Sequence, residues 1–158
     1  MKKKFKLTDL LIFIISTELV GALSSMFSGG RFSEYYSSLT KPPIAPPGWV
    51  FPAAWALLYA LMAAACYLVY LSDSVHRDTA LKLYVLQLFV NFLWSPVFFG
   101  AGSFGGAVII AAVLLVTVAL KTIALFRISD LAGMLFLPYL IWSAYGLYLS
   151  VGFLVLNK

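Results

Sequence analysis

The chain has 158 residues, of which 63% are hydrophobic, 16% aromatic and only 11% charged. A soluble domain of this length cannot hide so much apolar surface, so the composition defines an integral membrane protein. The formal charge of +5 does not point to nucleic acid, because the basic residues cluster at helix ends rather than along one face. The lone cysteine, Cys66, sits in an apolar run; an intramolecular disulfide is excluded and the residue reads as a small hydrophobe.

The start, Met1-Lys2-Lys3-Lys4-Phe5-Lys6, precedes an apolar stretch that Asp9 and Glu18 interrupt, with no clean small-x-small cleavage site. That pattern predicts a signal anchor rather than a cleaved peptide. The first span is expected over 7–27. Glu18 falls near its middle, where a carboxylate is costly and seldom faces lipid. It shares a helical face with Gly21, Ala22 and Ser25, so this face should point into a bundle. A hydrogen-bonded or protonated packing residue is the favoured reading of Glu18, over a ligand-facing group.

The loop over 28–48 is too long for a simple connector. Phe32, Tyr35, Tyr36 and Leu39 recur at helical spacing, with Ser33 as a candidate N-cap, and predict a short amphipathic helix over the bundle mouth. Next come Pro42-Pro43 and Pro46-Pro47 before Gly48, an extended elbow with few backbone donors. It feeds a second span at 49–71, with Pro52 in the first turn, where proline costs little. Trp55 and Tyr59 are one turn apart, so both rings share a face, forming an aromatic wall under a stiff lid.

A charged connector follows. Its His76, the sole histidine, is expected to be a solvated loop residue, because no second ligand stands at metal spacing. The third span, 80–99, carries Gln87, Asn91, Trp94 and Phe98 along one stripe. Two amides in hydrocarbon need partners, either between helices or in a pocket lining. Pro96 cannot donate to the Phe92 carbonyl and is expected to kink the helix. The fourth span, 103–126, opens with Gly105, Gly106 and Ala107 and shows no chemistry; small residues over 100–107 are candidates for a dimer face. Asp130 is the expected N-cap of the last span, 131–156, whose stripe is Pro138, Trp142, Tyr145 and Leu149, with Gly146 leaving space beside it.

Five spans put the termini on opposite sides. Lys2, Lys3, Lys4, Lys6, Arg77, Lys82, Lys121 and Arg127 fall on the N-terminal side, against Arg31, Lys41 and Lys158. The bias predicts a cytoplasmic N-terminus, with the first loop and C-terminus outside. No phosphate loop, Ser/His/Asp set or paired carboxylates are present, so hydrolysis, phosphoryl transfer and metal catalysis are not expected. What remains is a cavity with aromatic walls and a few amides, suited to a large, flat, mostly apolar molecule.

Three motifs carry a resemblance. Lys41-Pro42, Pro46-Pro47, Trp49, Phe51, Trp55 and Leu58-Tyr59 resemble the first-loop and second-helix signature of the translocator protein family (TspO, tryptophan-rich sensory protein, peripheral-type benzodiazepine receptor). Gln87-Leu88 with Asn91, Trp94, Pro96 and Phe98-Phe99-Gly100 is similar to its third-helix signature, and Pro138-Tyr139-Leu140-Ile141-Trp142 to that of its fifth. The resemblance covers essentially the whole chain and implies an all-α bundle of five transmembrane helices, usually dimeric. It also implies binding of porphyrins such as protoporphyrin IX and haem, and of isoquinoline carboxamide and benzodiazepine ligands, between the helices beneath the first loop. Porphyrin or haem would then be a ligand rather than a cofactor. Carried over by position, the implied lining is Trp49, Phe51, Trp55, Tyr59, Asn91, Trp94, Tyr139 and Trp142, with Gly146 and Leu149 following. Some members are reported to degrade protoporphyrin in light, which implies a role for Trp55 and Trp142 if this chain does the same. Tyr35 stands where the family often has Trp, Pro43 and Ile44 replace common aromatics, and Glu18 takes a position usually small and apolar. The cholesterol pattern of animal members is missing, which fits a bacterial-type member in the cytoplasmic membrane. Tetrapyrrole sensing, sequestration or transport is the expected role, with an enzyme as the alternative and a packing or scaffold protein as the third reading.

Overall fold

The computed structural model describes residues 3–30 and 32–158; the charges counted at Lys2 and Arg31 lie outside them. The chain forms α1 (Leu7–Phe27), α2 (Phe32–Ser38), α3 (Val50–Leu71), α4 (Arg77–Ser95), a π-helical turn (Pro96–Gly100), α5 (Phe104–Phe126) and α6 (Asp130–Leu156), with no strand among the described residues. Five of these, counting α4 with its π turn as one, are long and apolar enough to cross a membrane. The chain is therefore a multi-pass membrane protein, its backbone polar groups satisfied within helices as hydrocarbon requires. The short α2 lies in the first loop.

Hydrogen bonds fix which loops share an end. The Asn157 side chain accepts from the Thr40 N–H at 2.8 Å and donates to the Thr40 carbonyl at 2.9 Å, tying the C-terminus to the lid loop. At the far end, the Tyr67 hydroxyl accepts from the Lys6 N–H and donates to the Lys6 carbonyl, at 2.8 and 2.9 Å. Phe13 packs between Tyr67 and Tyr70 there, so α1 meets α3 chiefly at its N-terminal half. Toward the lid α1 leans on α4 instead: the Ser24 hydroxyl donates to the Phe92 carbonyl at 2.8 Å and Ser28 bonds Ser95 at 2.7 Å.

The Ser24 bond explains how Pro96 is accommodated. Proline has no N–H for the carbonyl four residues back, and Ser24 supplies the donor that Phe92 would lack. Instead of a simple kink, the chain widens into the π turn, closed by Ala101 N–H to Pro96 O at 2.9 Å. The capping expectations need correction. Ser129, not Asp130, caps α6, accepting from the Ala132 N–H. Ser33 lies inside α2, where its carbonyl accepts the Ser37 hydroxyl. At α6 the cap is the residue whose backbone is still extended, which composition alone does not reveal.

The core runs through α3, α5 and α6, where Met62, Ala63, Val118, Phe136 and Tyr139 are fully buried. Lys121 corrects the charge count: it is fully buried, its ammonium donating to the Ala80 carbonyl and lying 5.4 Å from the centre of the Tyr84 ring. Tyr84 in turn bonds Thr17, whose own hydroxyl donates to the Phe13 carbonyl at 2.7 Å, so the phenol is the donor. Two of the small residues considered for a dimer face are used inside the chain. Gly100 approaches the Phe27 carbonyl, and Ala107 is buried.

Candidate functional site

A cavity of about 610 Å³ lies between the helices beneath the lid, lined by α1, α2, α3, α4, the π turn, α5 and α6. That volume suits a drug-sized or larger organic ligand. Its lining changes with depth. At the lid end Phe32 and Tyr36 of α2 meet Phe51, Phe98, Phe99 and Phe153 in a ceiling of rings. Phe32 sits 4.9 Å from Phe99, and Phe51 lies 5.2 Å from Tyr36, both nearly edge to face, the favoured arrangement of quadrupoles. Midway down stand three indoles from three helices: Trp55 on α3, Trp94 on α4 and Trp142 on α6. Trp55 and Trp142 form a corner, 6.3 Å apart and 82° to one another, while Trp94 stacks on Phe98 at 4.9 Å and 14°. Gly146 follows Trp142 by one turn, and a Cβ there would meet nothing within 4 Å. The missing side chain is cavity volume.

The floor is polar. The Tyr59 hydroxyl donates to Asn91 Oδ1 at 2.8 Å, and Asn91 Nδ2 donates to the Tyr139 hydroxyl at 2.7 Å. This chain of side chains ties α3, α4 and α6 together and satisfies groups that hydrocarbon cannot. Tyr59 fits against α1 because Gly21 has no side chain; a Cβ there would collide with the phenol ring. Glu18 lines the floor beside Gly21, Ala22 and Ser25. The face shared by these four residues borders the cavity, with Gly21 alone packed against the Tyr59 ring. The lining residues left exposed, including Leu19, Ala22, Pro52 and Ala56, lie on α1 and α3, so the cavity opens between these two helices.

The ten residues singled out from the sequence divide three ways. Phe51, Trp55, Tyr59, Asn91, Trp94, Trp142, Gly146 and Leu149 all border the cavity. Tyr139 lies behind it, fully buried, with its ring 6.1 Å from Trp55 and its hydroxyl on Asn91; it braces the wall. Trp49 does not join them. It stands at the N-terminal cap of α3, 72% exposed, where an amphipathic ring suits the membrane–water boundary. Sequence reasoning passed over Phe153 and Phe99 as lining. Phe153 follows Leu149 by one turn, a signal that was present; Phe99 is aimed inward by the π turn, which was not readable. Gln87, on the same stripe as Asn91, is fully buried away from the cavity, and its amide is the one buried side-chain group without a partner among the described residues. No group of histidine, cysteine and acidic side chains capable of holding a metal occurs among the described residues, and His76 is exposed.

The lid is strapped down by hydroxyls. Tyr36 donates to the Pro46 carbonyl at 2.5 Å, Tyr145 to Ile44 at 2.6 Å and Tyr148 to Pro43 at 2.7 Å. Burial, with Tyr145 nearby, pushes the Tyr36 phenol above the ordinary tyrosine range, so it keeps its proton to donate. Ile44 holds φ at 59°, a left-handed conformation costly for a β-branched residue, and it is 78% exposed, so no burial offsets the cost. Pro42 rests on Gly152 of α6, where any side chain would displace it.

Five helices long and apolar enough to span a membrane surround a roofed cavity with three indoles in its wall, the architecture of a multi-pass membrane bundle. The family model described as TspO/MBR family matches residues 13–156. The chain belongs to that family. It is 36% identical over 135 residues to the tryptophan-rich sensory protein of Cereibacter sphaeroides, covering 85% of this chain and 84% of that one. To the tryptophan-rich protein TspO of Chlorobaculum tepidum it is 33% identical over 140 residues, 87% and 89% of the two chains. To the human translocator protein it is 35% identical over 136 residues, 84% and 80% of the two chains.

Proposed function

We propose that this chain binds porphyrins such as protoporphyrin IX and haem, along with isoquinoline carboxamide or benzodiazepine-type ligands, in the cavity beneath its lid, for tetrapyrrole sensing, sequestration or transport. The observation that carries the reading is the convergence of Trp55, Trp94 and Trp142 on one cavity of about 610 Å³. Affinity comes from ring stacking and apolar burial. The free indole N–H groups of Trp55 and Trp142 orient the ligand, whereas Asn91, whose carbonyl is taken by Tyr59, serves mainly as scaffold. The porphyrin's carboxylate edge lies toward the lid, near the polar interface. Relatives named as a sensory protein and as a translocator protein agree with a ligand-handling role. The basic residues at the end away from the lid, among them Lys3, Lys6, Arg77 and Arg127, support a cytoplasmic location for that end under the positive-inside rule.

Titrating protoporphyrin IX into detergent-solubilised protein while following tryptophan emission tests this. Saturable quenching at micromolar ligand is the expected result; unchanged emission up to about tens of micromolar, the ordinary weak-ligand range, contradicts it. The corner made by Trp55 and Trp142 supports a second reading, light-driven oxidation of bound protoporphyrin with these indoles as participants. Equal rates of photobleaching in the native chain and in Trp55→Phe/Trp142→Phe would exclude it.

A further inference from the structure

Several polar groups around the cavity are already engaged within the chain. The Tyr59 hydroxyl has spent its single proton on Asn91, Ser24 donates to Phe92, Ser143 to Tyr139 and Trp94 to Ser150. Glu18 has no hydrogen bond or ion pair among the described residues, and its carboxyl oxygens are not among the buried atoms that lack partners. They are therefore open to the cavity. Among the described residues, no lysine, arginine or histidine lines the cavity to neutralise them. A carboxyl at mid-membrane depth is costly and persists where something pairs with it. The described residues supply none, which leaves that role to the ligand.

Depth separates this group from the lid. Glu18 and Ser25 are seven positions apart on α1, about 10 Å along the axis at the helical rise. Trp55 on α3 and Trp142 on α6, whose indole N–H groups have no hydrogen bond among the described residues, line the same space. A ligand there meets a carboxyl on one side and two indole donors on the other.

The geometry points to Glu18 as a specificity-determining residue that selects planar aromatic ligands bearing a cationic N–H donor, a protonated ring nitrogen or aryl-ammonium, at their deep edge. This rests on the reading that the cavity takes a planar apolar ligand, and it adds the charge of that ligand's inner end. A cation beside Glu18 makes a charge-assisted hydrogen bond in a low-dielectric wall and leaves the site neutral. An anionic edge would leave two like charges facing each other, so carboxylated ligands must keep their acids at the lid end.

Three probes on the same three-ring plate test it: 9-aminoacridine as the cation, anthracene as the neutral member and anthracene-9-carboxylate as the anion. Binding is read by tryptophan quenching in phosphatidylcholine nanodiscs at neutral pH, with empty discs subtracted, for the native chain, Glu18→Gln and Glu18→Asp. The native chain is expected to prefer cation over anion by about tenfold or more, the size of one charge-assisted hydrogen bond. Glu18→Gln should lose that preference while binding anthracene as before, and Glu18→Asp should keep most of it. A cation-to-anion ratio that is the same in the native chain and Glu18→Gln overturns the inference and leaves the cavity reading standing. Failure of anthracene to saturate the native chain overturns both. Retained anthracene binding in Glu18→Gln shows that the variant is folded.

Discussion

The two ends of the cavity are held by opposite means. At the floor, Tyr59, Asn91 and Tyr139 are buried and bond side chain to side chain across three helices. At the lid, Tyr145 and Tyr148 reach from a helix to backbone carbonyls of the loop, and Asn157 clasps Thr40, in contacts open to solvent. The difference follows from the prolines. Pro42, Pro43, Pro46 and Pro47 have no N–H, so at these positions the loop can be fastened only through its carbonyls, and the neighbouring helices bring the donors. Buried, mutually satisfied networks are rigid. Solvent-competed bonds to a loop containing a residue at positive φ open more readily. The floor sets the shape of the cavity and the lid roofs it.

Four variants break or sharpen that contrast. Asn91→Leu strips two buried phenols of their partner and should cost about 2–4 kcal/mol, seen as a large fall in the thermal unfolding midpoint in detergent. A midpoint unchanged from the native chain would mean that the floor network is not structural. Gly146→Leu puts a side chain where a Cβ meets open space. It should lower protoporphyrin affinity about tenfold or more in the fluorescence titration, with the midpoint unmoved. Equal loss of stability would show that the space is not a void. Tyr145→Phe with Tyr148→Phe removes two straps of about 0.5–1 kcal/mol each, and should quicken hydrogen exchange at the Ile44 and Ala45 amides and ligand release several-fold. The exchange of α3 and α6 should not change. Ile44→Asn, at a residue with little to lose by burial, should stabilise the lid by about 0.5 kcal/mol, because Asn tolerates the left-handed region. Slower exchange in the loop is the reading; faster exchange would mean that the isoleucine side chain holds something down.

Much of this arrangement was written in helical spacing. Trp55 with Tyr59, Asn91 with Trp94, and Trp142 with Gly146 share faces because a helix repeats every 3.6 residues, and each face met the others once the apolar lengths of the spans were known. Spacing assigns a face, but not whether that face packs or borders a space. Glu18 was therefore favoured as a packing residue, and it lines the floor instead. Lys121 stood among the interface charges because a long basic side chain usually reaches water; here it folds inward onto the Ala80 carbonyl. Trp49 sits just outside α3, beyond the reach of the helical period, and its ring turns outward. The π turn after Pro96 re-aims Phe99, and it depends on Ser24 of a distant helix supplying a donor, which no local pattern records.

The central claim is that three of the four tryptophans face one ligand space and the fourth does not. Indole ¹⁵N labelling of the protein in nanodiscs gives one N–H resonance per tryptophan, assigned by single Trp→Phe variants. On addition of protoporphyrin IX, the resonances of Trp55, Trp94 and Trp142 should shift together and saturate at one concentration while that of Trp49 stays in place. A shift confined to Trp49, or no saturable shift at any of the other three, would contradict the account.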